Sequence, residues 1–130
     1  MNTQKTMKVL RCNKCKKITV QLNKKPCPTF CCGEEMEELN ANTTDAALEK
    51  HVPVIEKEGN LVTVTVGSVI HPMTEEHFIQ FIALETKNGY QYKELTPADE
   101  PKGIFALVDG DEVVAAYEYC NLHGFWKKEN

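Results

Sequence analysis

Residues 60–70 read NLVTVTVGSVI, a run in which valine alternates with threonine. Alternation of apolar and polar side chains with a period of two predicts a β-strand with one buried face and one exposed face. Four later segments share this β-branched and aromatic character: HFIQFIALET (77–86), YQYKEL (90–95), IFALV (104–108) and DEVVAAYEY (111–119). Several short strands with almost no helix predict an antiparallel β-sandwich, so the chain is expected to be mainly β.

Two turn signals separate these predicted strands. NGY (88–90) predicts a tight turn after the second strand, and VDGDE (108–112) predicts a hairpin between the last two. Farther upstream, TTDAALEK (43–50) places threonine and aspartate before Ala-Ala-Leu, which predicts about one turn of helix with a Thr or Asp cap.

The composition excludes several classes of protein. The net charge is −4, so a nucleic-acid-binding surface is not expected. No apolar run approaches the roughly 20 residues of a membrane span, and residues 1–12 lack the apolar core of a signal peptide, so we expect a cytoplasmic protein without a membrane partner. The single serine, Ser68, lies inside an apolar strand, which argues against a serine hydrolase.

The cysteines divide the chain into two predicted domains. Five of the six fall within the first 32 residues, in a lysine-rich segment too short to build a core without a metal or another staple. The polar stretch 34–45, EEMEELNANTTD, marks the boundary. We therefore predict a metal-binding domain over residues 1–39 and a β-sandwich domain over residues 40–130.

The first candidate site consists of Cys12, Cys15, Cys31 and Cys32. The CNKC knuckle and the later CC pair offer four thiolates, which suit a tetrahedral zinc or a single iron. Spacing alone favours zinc somewhat over iron. The alternative interpretation, a zinc knuckle that only holds the segment folded, is not excluded by the sequence. Neighbouring side chains of an extended segment point to opposite faces, so the backbone must bend at the CC pair. Cys27 is expected to be a spare thiol.

The second candidate site combines every histidine with the last cysteine. The ligand types lie in three short stretches at predicted strand ends: EKHVP (49–53), IHPMTEEHF (70–78) and CNLHG (120–124). They contribute His51, His71, His77, His123 and Cys120. Because closed structural zinc sites almost always have four ligands, a set of five favours iron with one open position. A Cys–His nucleophilic pair is the competing interpretation, and it leaves three histidines unexplained.

In these motifs the chain resembles the desulfoferrodoxins, the two-iron type of superoxide reductase. CNKC with the distant CC resembles their desulforedoxin-like module, and the three histidine stretches match the catalytic domain in order and content. The chain departs from the family pattern at Lys16, where glycine is common, and at the additional Cys27. The resemblance implies an immunoglobulin-like β-sandwich after a rubredoxin-like module, and a homodimer.

The resemblance also implies the cofactors and the reaction. One iron per chain would occupy the four-cysteine site, and a second would take the four histidines as equatorial ligands with Cys120 axial. Superoxide would be reduced to hydrogen peroxide, and an external donor such as a rubredoxin would restore the ferrous state. Lys50 would attract the superoxide anion, and Glu49 would be the sixth ligand in the ferric resting state. We further expect backbone N–H groups of NLHG (121–124) to hydrogen-bond the Cys120 sulfur, and Trp126 to pack in the core.

Two other functions stay open on the sequence. The chain could be a rubredoxin-like electron carrier in which only the four-cysteine iron is active. It could also be a zinc-stabilised interaction module without redox chemistry. The five-ligand set argues against both.

Overall fold

The computed structural model describes residues 7–44 and 46–130. The chain divides into two compact units, one that ends at Asn40 and one that begins at Ala41. Within the described ranges, no helix has both the length and the apolar character that crossing a membrane requires.

The first unit is built from very short strands. These are β1 (Val9–Arg11), β2 (Ile18–Val20), β3 (Phe30–Cys31), β4 (Glu34–Glu35) and β5 (Glu37–Glu38). They form an antiparallel sheet in the order β2-β1-β5 and a separate β3–β4 ribbon. Its small core contains Leu10 and Met36 together with Cys12, and Cys31 packs against them. One predicted metal ligand, Cys12, is therefore part of this core, and a second, Cys31, packs against it.

The second unit contains one helical turn and seven strands. They are α1 (Leu48–His51), β6 (Pro53–Glu58), β7 (Leu61–Val66), β8 (Ile79–Thr86), β9 (Gly89–Glu94), β10 (Lys102–Ala106), β11 (Val113–Cys120) and β12 (Gly124–Glu129). One sheet has the order β10-β7-β6 and the other β12-β11-β8-β9, and neighbouring strands are antiparallel. Sheets of three and four strands give the strand count of a constant-type immunoglobulin sandwich.

The alternating stretch forms the centre of the sandwich, as its pattern predicts. In β7, Val62, Val64 and Val66 are fully buried, whereas the threonines between them are half-buried. The three valines share a core with Ile82 of β8 and Phe105 of β10, so that side chains of both sheets meet in it. The prediction of a mainly β, antiparallel sandwich is confirmed.

The predicted VDGDE hairpin is wrong. β10 pairs with β7 in one sheet, and β11 pairs with β8 and β12 in the other. The loop over residues 107–112 therefore crosses from one sheet to the other. Turn residues show that the chain reverses, but the partner of each strand is decided by packing that no local signal carries. The NGY turn, by contrast, does join two paired strands, β8 and β9.

Two further expectations need correction. The sequence placed CNLHG in a loop after DEVVAAYEY, the last predicted strand, but a further strand, β12, begins at Gly124 and pairs with β11. The expected helical turn is present as α1, but Ala47 takes its N-cap position, and its methyl side chain cannot accept a hydrogen bond. Of the predicted cap candidates, Asp45 lies outside the described residues.

Candidate metal centres

The four predicted cysteines of the first unit converge. The sulfur atoms of Cys12, Cys15, Cys31 and Cys32 all lie within 4.8 Å of one another. The Cys15 and Cys31 sulfurs are 3.7 Å apart, and those of Cys31 and Cys32 are 3.9 Å apart. Cys12 is buried, whereas Cys15 and Cys32 are exposed. Cys27 is an exposed free thiol outside this group, as expected of a spare cysteine.

The backbone bends at the adjacent cysteines, as the sequence predicts. Cys32 has φ +54° and Gly33 has φ +78°, both in the left-handed region, so successive side chains turn toward one point. Lys16 has φ +70°, again in the region that favours glycine. Because lysine carries a Cβ, it is held here in a strained conformation.

The ionisation of this cluster shows that it suits a cation. A hydrogen bond from the backbone N–H of Cys15, at 3.4 Å, lowers the pKa of the Cys12 thiol to about 6. The neighbouring Cys12 sulfur in turn raises the pKa of Cys31 to about 12. Neighbouring sulfur atoms also raise the pKa of Cys32, so Cys31 and Cys32 resist ionisation once the Cys12 thiolate has formed. A bound cation removes this resistance, because thiolates are the form in which cysteines bind zinc or iron.

In the second unit, the four histidines form a ring of imidazoles. Centroid distances around the ring are 4.8 Å for His51–His71, 4.7 Å for His71–His77, 5.0 Å for His77–His123 and 4.8 Å for His123–His51. Each neighbouring pair is nearly perpendicular, with interplanar angles between 78° and 89°. The four side chains come from α1, from the loop between β7 and β8, and from the β11–β12 turn.

The ring nitrogens that face inward carry lone pairs rather than protons. His51 Nδ1 donates to the carbonyl of Ala47 at 2.9 Å, and His71 Nδ1 donates to the carbonyl of Pro72 at 2.7 Å. A neutral imidazole with Nδ1 protonated has a bare Nε2. Yet these two Nε2 atoms lie only 3.2 Å apart. Two acceptors at this distance need a cation between them.

The pKa shifts of His51, His71 and His77 favour neutral rings. Burial lowers the pKa of His71 to about 4, and it also lowers the pKa of His51 and of His77. His77 Nε2 is buried and has no hydrogen-bond partner among the described residues. His51 Nε2 also lies 3.1 Å from His123 Nδ1. Buried, neutral and inward-facing nitrogens are the ligand form of histidine, so the ring fits a metal ion.

Cys120 completes this cluster. It is fully buried at the end of β11, and its sulfur belongs to the same group as the ring nitrogens of His51, His71 and His77, within 4.8 Å. Burial raises the pKa of the Cys120 thiol, while backbone N–H groups of His123 and Leu122 oppose that rise. The His123 N–H lies 3.4 Å from the sulfur. The predicted hydrogen bonds from the NLHG segment are therefore confirmed.

Two side chains hold the histidine rings in place, a role that the sequence did not predict for either of them. Asn121 accepts from the Phe78 N–H at 3.0 Å and donates to the Glu76 carbonyl at 3.1 Å, which fixes the backbone on both sides of His77. Trp126 is fully buried and donates from Nε1 to the His123 carbonyl at 3.0 Å. The sequence predicted Trp126 only as core packing.

Glu118 is a third residue that the sequence did not single out. It is completely buried, and neither carboxyl oxygen has a hydrogen-bond partner among the described residues. Burial raises its pKa well above the usual value, which favours the neutral acid. It lies within electrostatic reach of the Cys120 sulfur. The only sequence signal is a glutamate at an inward position of an apolar strand.

Glu49 and Lys50 lie in α1 directly before His51. Both side chains are exposed. Burial is the main cause of the lowered pKa values of His51 and His77, and the positive charge of Lys50 lowers them further. The ammonium group therefore acts electrostatically on two rings of the cluster. Among the described residues, no hydrogen bond or ion pair joins the Glu49 carboxylate to this cluster, but its negative charge opposes Lys50 in the pKa of His51.

Comparisons with known proteins converge on one family. A family model described as Desulfoferrodoxin matches residues 43–129. The chain is similar to the desulfoferrodoxin of Syntrophotalea carbinolica, at 48% identity over 95% of this chain and 96% of that protein. It is equally similar to that of Nitratidesulfovibrio vulgaris, at 48% identity over 93% and 94%. The superoxide reductase structure from Treponema pallidum matches with a TM-score of 0.82 and 39% identity, over 95% and 99% of the two chains.

Proposed function

The chain belongs to the desulfoferrodoxin family, and from this membership together with the two donor clusters we propose that it is a superoxide reductase. The resemblance predicted from the cysteine and histidine motifs is thereby confirmed. The reaction is the one-electron reduction of superoxide, with two protons, to hydrogen peroxide. The observation that carries the proposal is the convergence of bare histidine nitrogens on the buried sulfur of Cys120.

Two iron ions per chain fit the two donor sets. Cys12, Cys15, Cys31 and Cys32 would hold one, and the four histidines with Cys120 would hold the other. Iron held by the histidine site would supply the one-electron redox change that the reduction of superoxide requires. We propose that residues 1–39 serve as the four-cysteine domain and residues 40–130 as the catalytic domain.

The residues around the histidine ring have distinct tasks in this proposal. Lys50 is exposed and adds positive charge beside the ring, so it raises the local concentration of the superoxide anion. Cys120 is closed off from solvent, which keeps water and anions away from its sulfur. The backbone N–H of His123 stabilises negative charge on that sulfur. Glu49, exposed next to Lys50, is the carboxylate that we assign to the oxidised resting state.

Several partners and conditions complete the proposal. An external donor such as a rubredoxin restores the reduced state, and the chain acts as a homodimer. A cytoplasmic location suits six free thiols, because the reducing cytosol keeps cysteines available for metal. A rubredoxin-like carrier without superoxide reductase activity is the alternative. It uses only the cysteine cluster and leaves the facing nitrogens of His51 and His71 without a purpose.

Elemental analysis of protein purified without oxygen and without added metal tests the proposal. We expect two irons per chain, one for each donor set. One iron with one zinc would keep the enzyme and make the cysteine site structural. Zinc alone, with no iron bound even after anaerobic reconstitution, would contradict the proposal.

A further inference from the structure

The helical turn that carries Glu49 and Lys50 is too short to hold its own conformation. α1 has four residues, follows an N-cap residue, Ala47, that makes no side-chain cap hydrogen bond, and exposes Leu48, Glu49 and Lys50 to solvent. A single helical turn is unstable in isolation, because nucleation fixes several backbone angles for one hydrogen bond. The direction of the Lys50 side chain must therefore be set by whatever the turn contacts.

Residues 67–69, directly after β7, supply that contact. The Val69 N–H donates to the Glu49 carbonyl at 2.9 Å, and the Ser68 hydroxyl lies 3.4 Å from the same oxygen. The Gly67 N–H donates to the Val52 carbonyl at 3.1 Å. These bonds hold the carbonyl before Lys50 and the carbonyl after His51. We call residues 67–69 the clasp.

The clasp approaches the helical turn more closely than a side chain would allow. Gly67 has φ +82°, and a Cβ on it would lie 2.8 Å from the Glu49 carbonyl oxygen and 2.8 Å from the Lys50 carbonyl carbon. It would also lie 2.6 Å from the Val69 carbonyl oxygen. All three obstacles are backbone atoms, so no change of rotamer relieves the clash. Any side chain at position 67 must push the Glu49–Lys50 backbone away.

We propose that Gly67, through the clasp, is a positioning residue that sets the direction of Lys50 toward incoming superoxide. This inference rests on the proposed function, since it assigns a task within that reaction. It explains why the only serine of the chain sits on the Glu49 carbonyl. In this role Gly67 acts through the backbone of α1.

A matched pair of glycine substitutions tests the clasp. Gly110 has φ +88°, but a Cβ there would meet no atom of the described chain within 4 Å. Gly67→Ala and Gly110→Ala therefore share the cost of a left-handed alanine, and only Gly67→Ala displaces α1. We expect Gly67→Ala to lower the second-order rate with superoxide roughly tenfold, as loss of one steering charge does. Gly110→Ala should keep the rate of the unmodified protein.

A double-mutant cycle separates positioning from general damage. If Gly67 acts through Lys50, then Gly67→Ala causes no further loss in a Lys50→Ala background, and the rate loses its salt dependence in both single variants. An equal fold-loss in both backgrounds would overturn the proposal. So would a Gly67→Ala protein with the rate and salt dependence of the unmodified chain.

A readout that needs no activity keeps the inference separate from the proposed function. In the full chain loaded with zinc, amide exchange of Val69 should be faster in Gly67→Ala than in Gly110→Ala, because its acceptor on Glu49 has moved. Equal protection in the two variants would overturn the clasp even if the enzyme reduces superoxide. Faster exchange supports the clasp even in a protein without superoxide reductase activity, a result that would fail the proposed function alone.

Ser68 provides a second route if Gly67→Ala does not fold. Ser68→Ala removes the hydroxyl that reaches the Glu49 carbonyl, whereas Ser68→Thr keeps it. We expect Ser68→Ala to lower the rate with superoxide and Ser68→Thr to restore it. Equal rates for the two variants would count against the clasp.

Discussion

The indole of Trp126 stacks on the imidazole of His51, with ring centroids 5.1 Å apart and planes inclined by 23°. The same indole donates its N–H to the carbonyl of His123 at 3.0 Å. One buried side chain of β12 thus supports two rings that reach the cluster from different parts of the chain. Rigid support of ligands raises metal affinity, because less order has to be gained when the ion binds.

Trp126→Phe tests this support. Phenylalanine keeps an aromatic face against His51 but loses the N–H that holds the His123 carbonyl. We expect the free energy of unfolding to fall by about 1 kcal/mol. Iron affinity of the histidine site should fall roughly tenfold to a hundredfold, measured by competition with a chelator. As a control, Phe105→Leu alters a core aromatic of β10 and should lower stability without releasing iron. Equal iron loss in both variants would contradict the role of Trp126 in supporting His51 and His123.

Single cysteine variants should separate the two metal sites. Cys120→Ala removes the sulfur from the histidine cluster, and Cys15→Ala removes one from the cysteine cluster. We expect each variant to lose the metal of its own site and keep the other, because the donor sets share no residue. Only Cys120→Ala should abolish superoxide consumption. Unchanged metal content and unchanged superoxide consumption in Cys120→Ala would refute the assignment as a superoxide reductase.

Lys50→Ala should slow the capture of superoxide. The substitution removes a positive charge that acts on His51 and His77, and steering of an anion by such a charge changes the rate roughly tenfold. The loss should shrink as salt rises, since the screening length falls to about 3 Å at 1 M. Lys87, exposed after β8, is the control, and Lys87→Ala should leave the rate unchanged. Equal rates for Lys50→Ala and the unmodified protein at low salt would exclude steering.

Asn121→Ala should loosen His77. It removes the two hydrogen bonds to the backbone of Glu76 and Phe78, at a cost of about 1 kcal/mol each. The histidine site should then lose iron faster under chelation. Asn60 lies in the turn of the β6–β7 hairpin and donates a hydrogen bond to Asp109. Asn60→Ala is therefore a matched control, and this variant should retain iron. Equal retention of iron in both variants would show that Asn121 does not position His77.

The sequence predicted most of the strands because their pattern is local. Alternation in 60–70 predicts burial on one face, and the structure buries Val62, Val64 and Val66 as predicted. The strand is shorter than predicted, because β7 ends at Val66, so Ser68 lies outside it and Ile70 is exposed. β6 and β12 both escaped prediction. In β6 only Pro53 is buried and its second half, Glu-Lys-Glu, is exposed. In β12 the second half is Lys-Lys-Glu, which is exposed or half-buried, and only Gly124, Phe125 and Trp126 are buried. The error at VDGDE has a different cause. Sheet membership depends on distant partners, and a turn signal contains no information about them.

The donors of both sites could be predicted because metal ligands need particular residue types. Cysteine and histidine are few in this chain, and all nine predicted ligands fall in one of the two clusters. Their supports could not be predicted. The Ala47 and Pro72 carbonyls act through backbone atoms that any residue has, and Gly67 matters through what passes close to it. Such relationships exist only once the chain has folded.

The products formed from superoxide test the central proposal most directly. Anaerobically reduced protein is mixed with a limited pulse of superoxide, and hydrogen peroxide and dioxygen are both quantified. Reduction predicts one hydrogen peroxide for each superoxide consumed, no dioxygen, and oxidation of the protein by one electron for each superoxide. One hydrogen peroxide and one dioxygen for every two superoxide ions would show dismutation instead. That result, or decay no faster than in buffer alone, would contradict the assignment as a superoxide reductase.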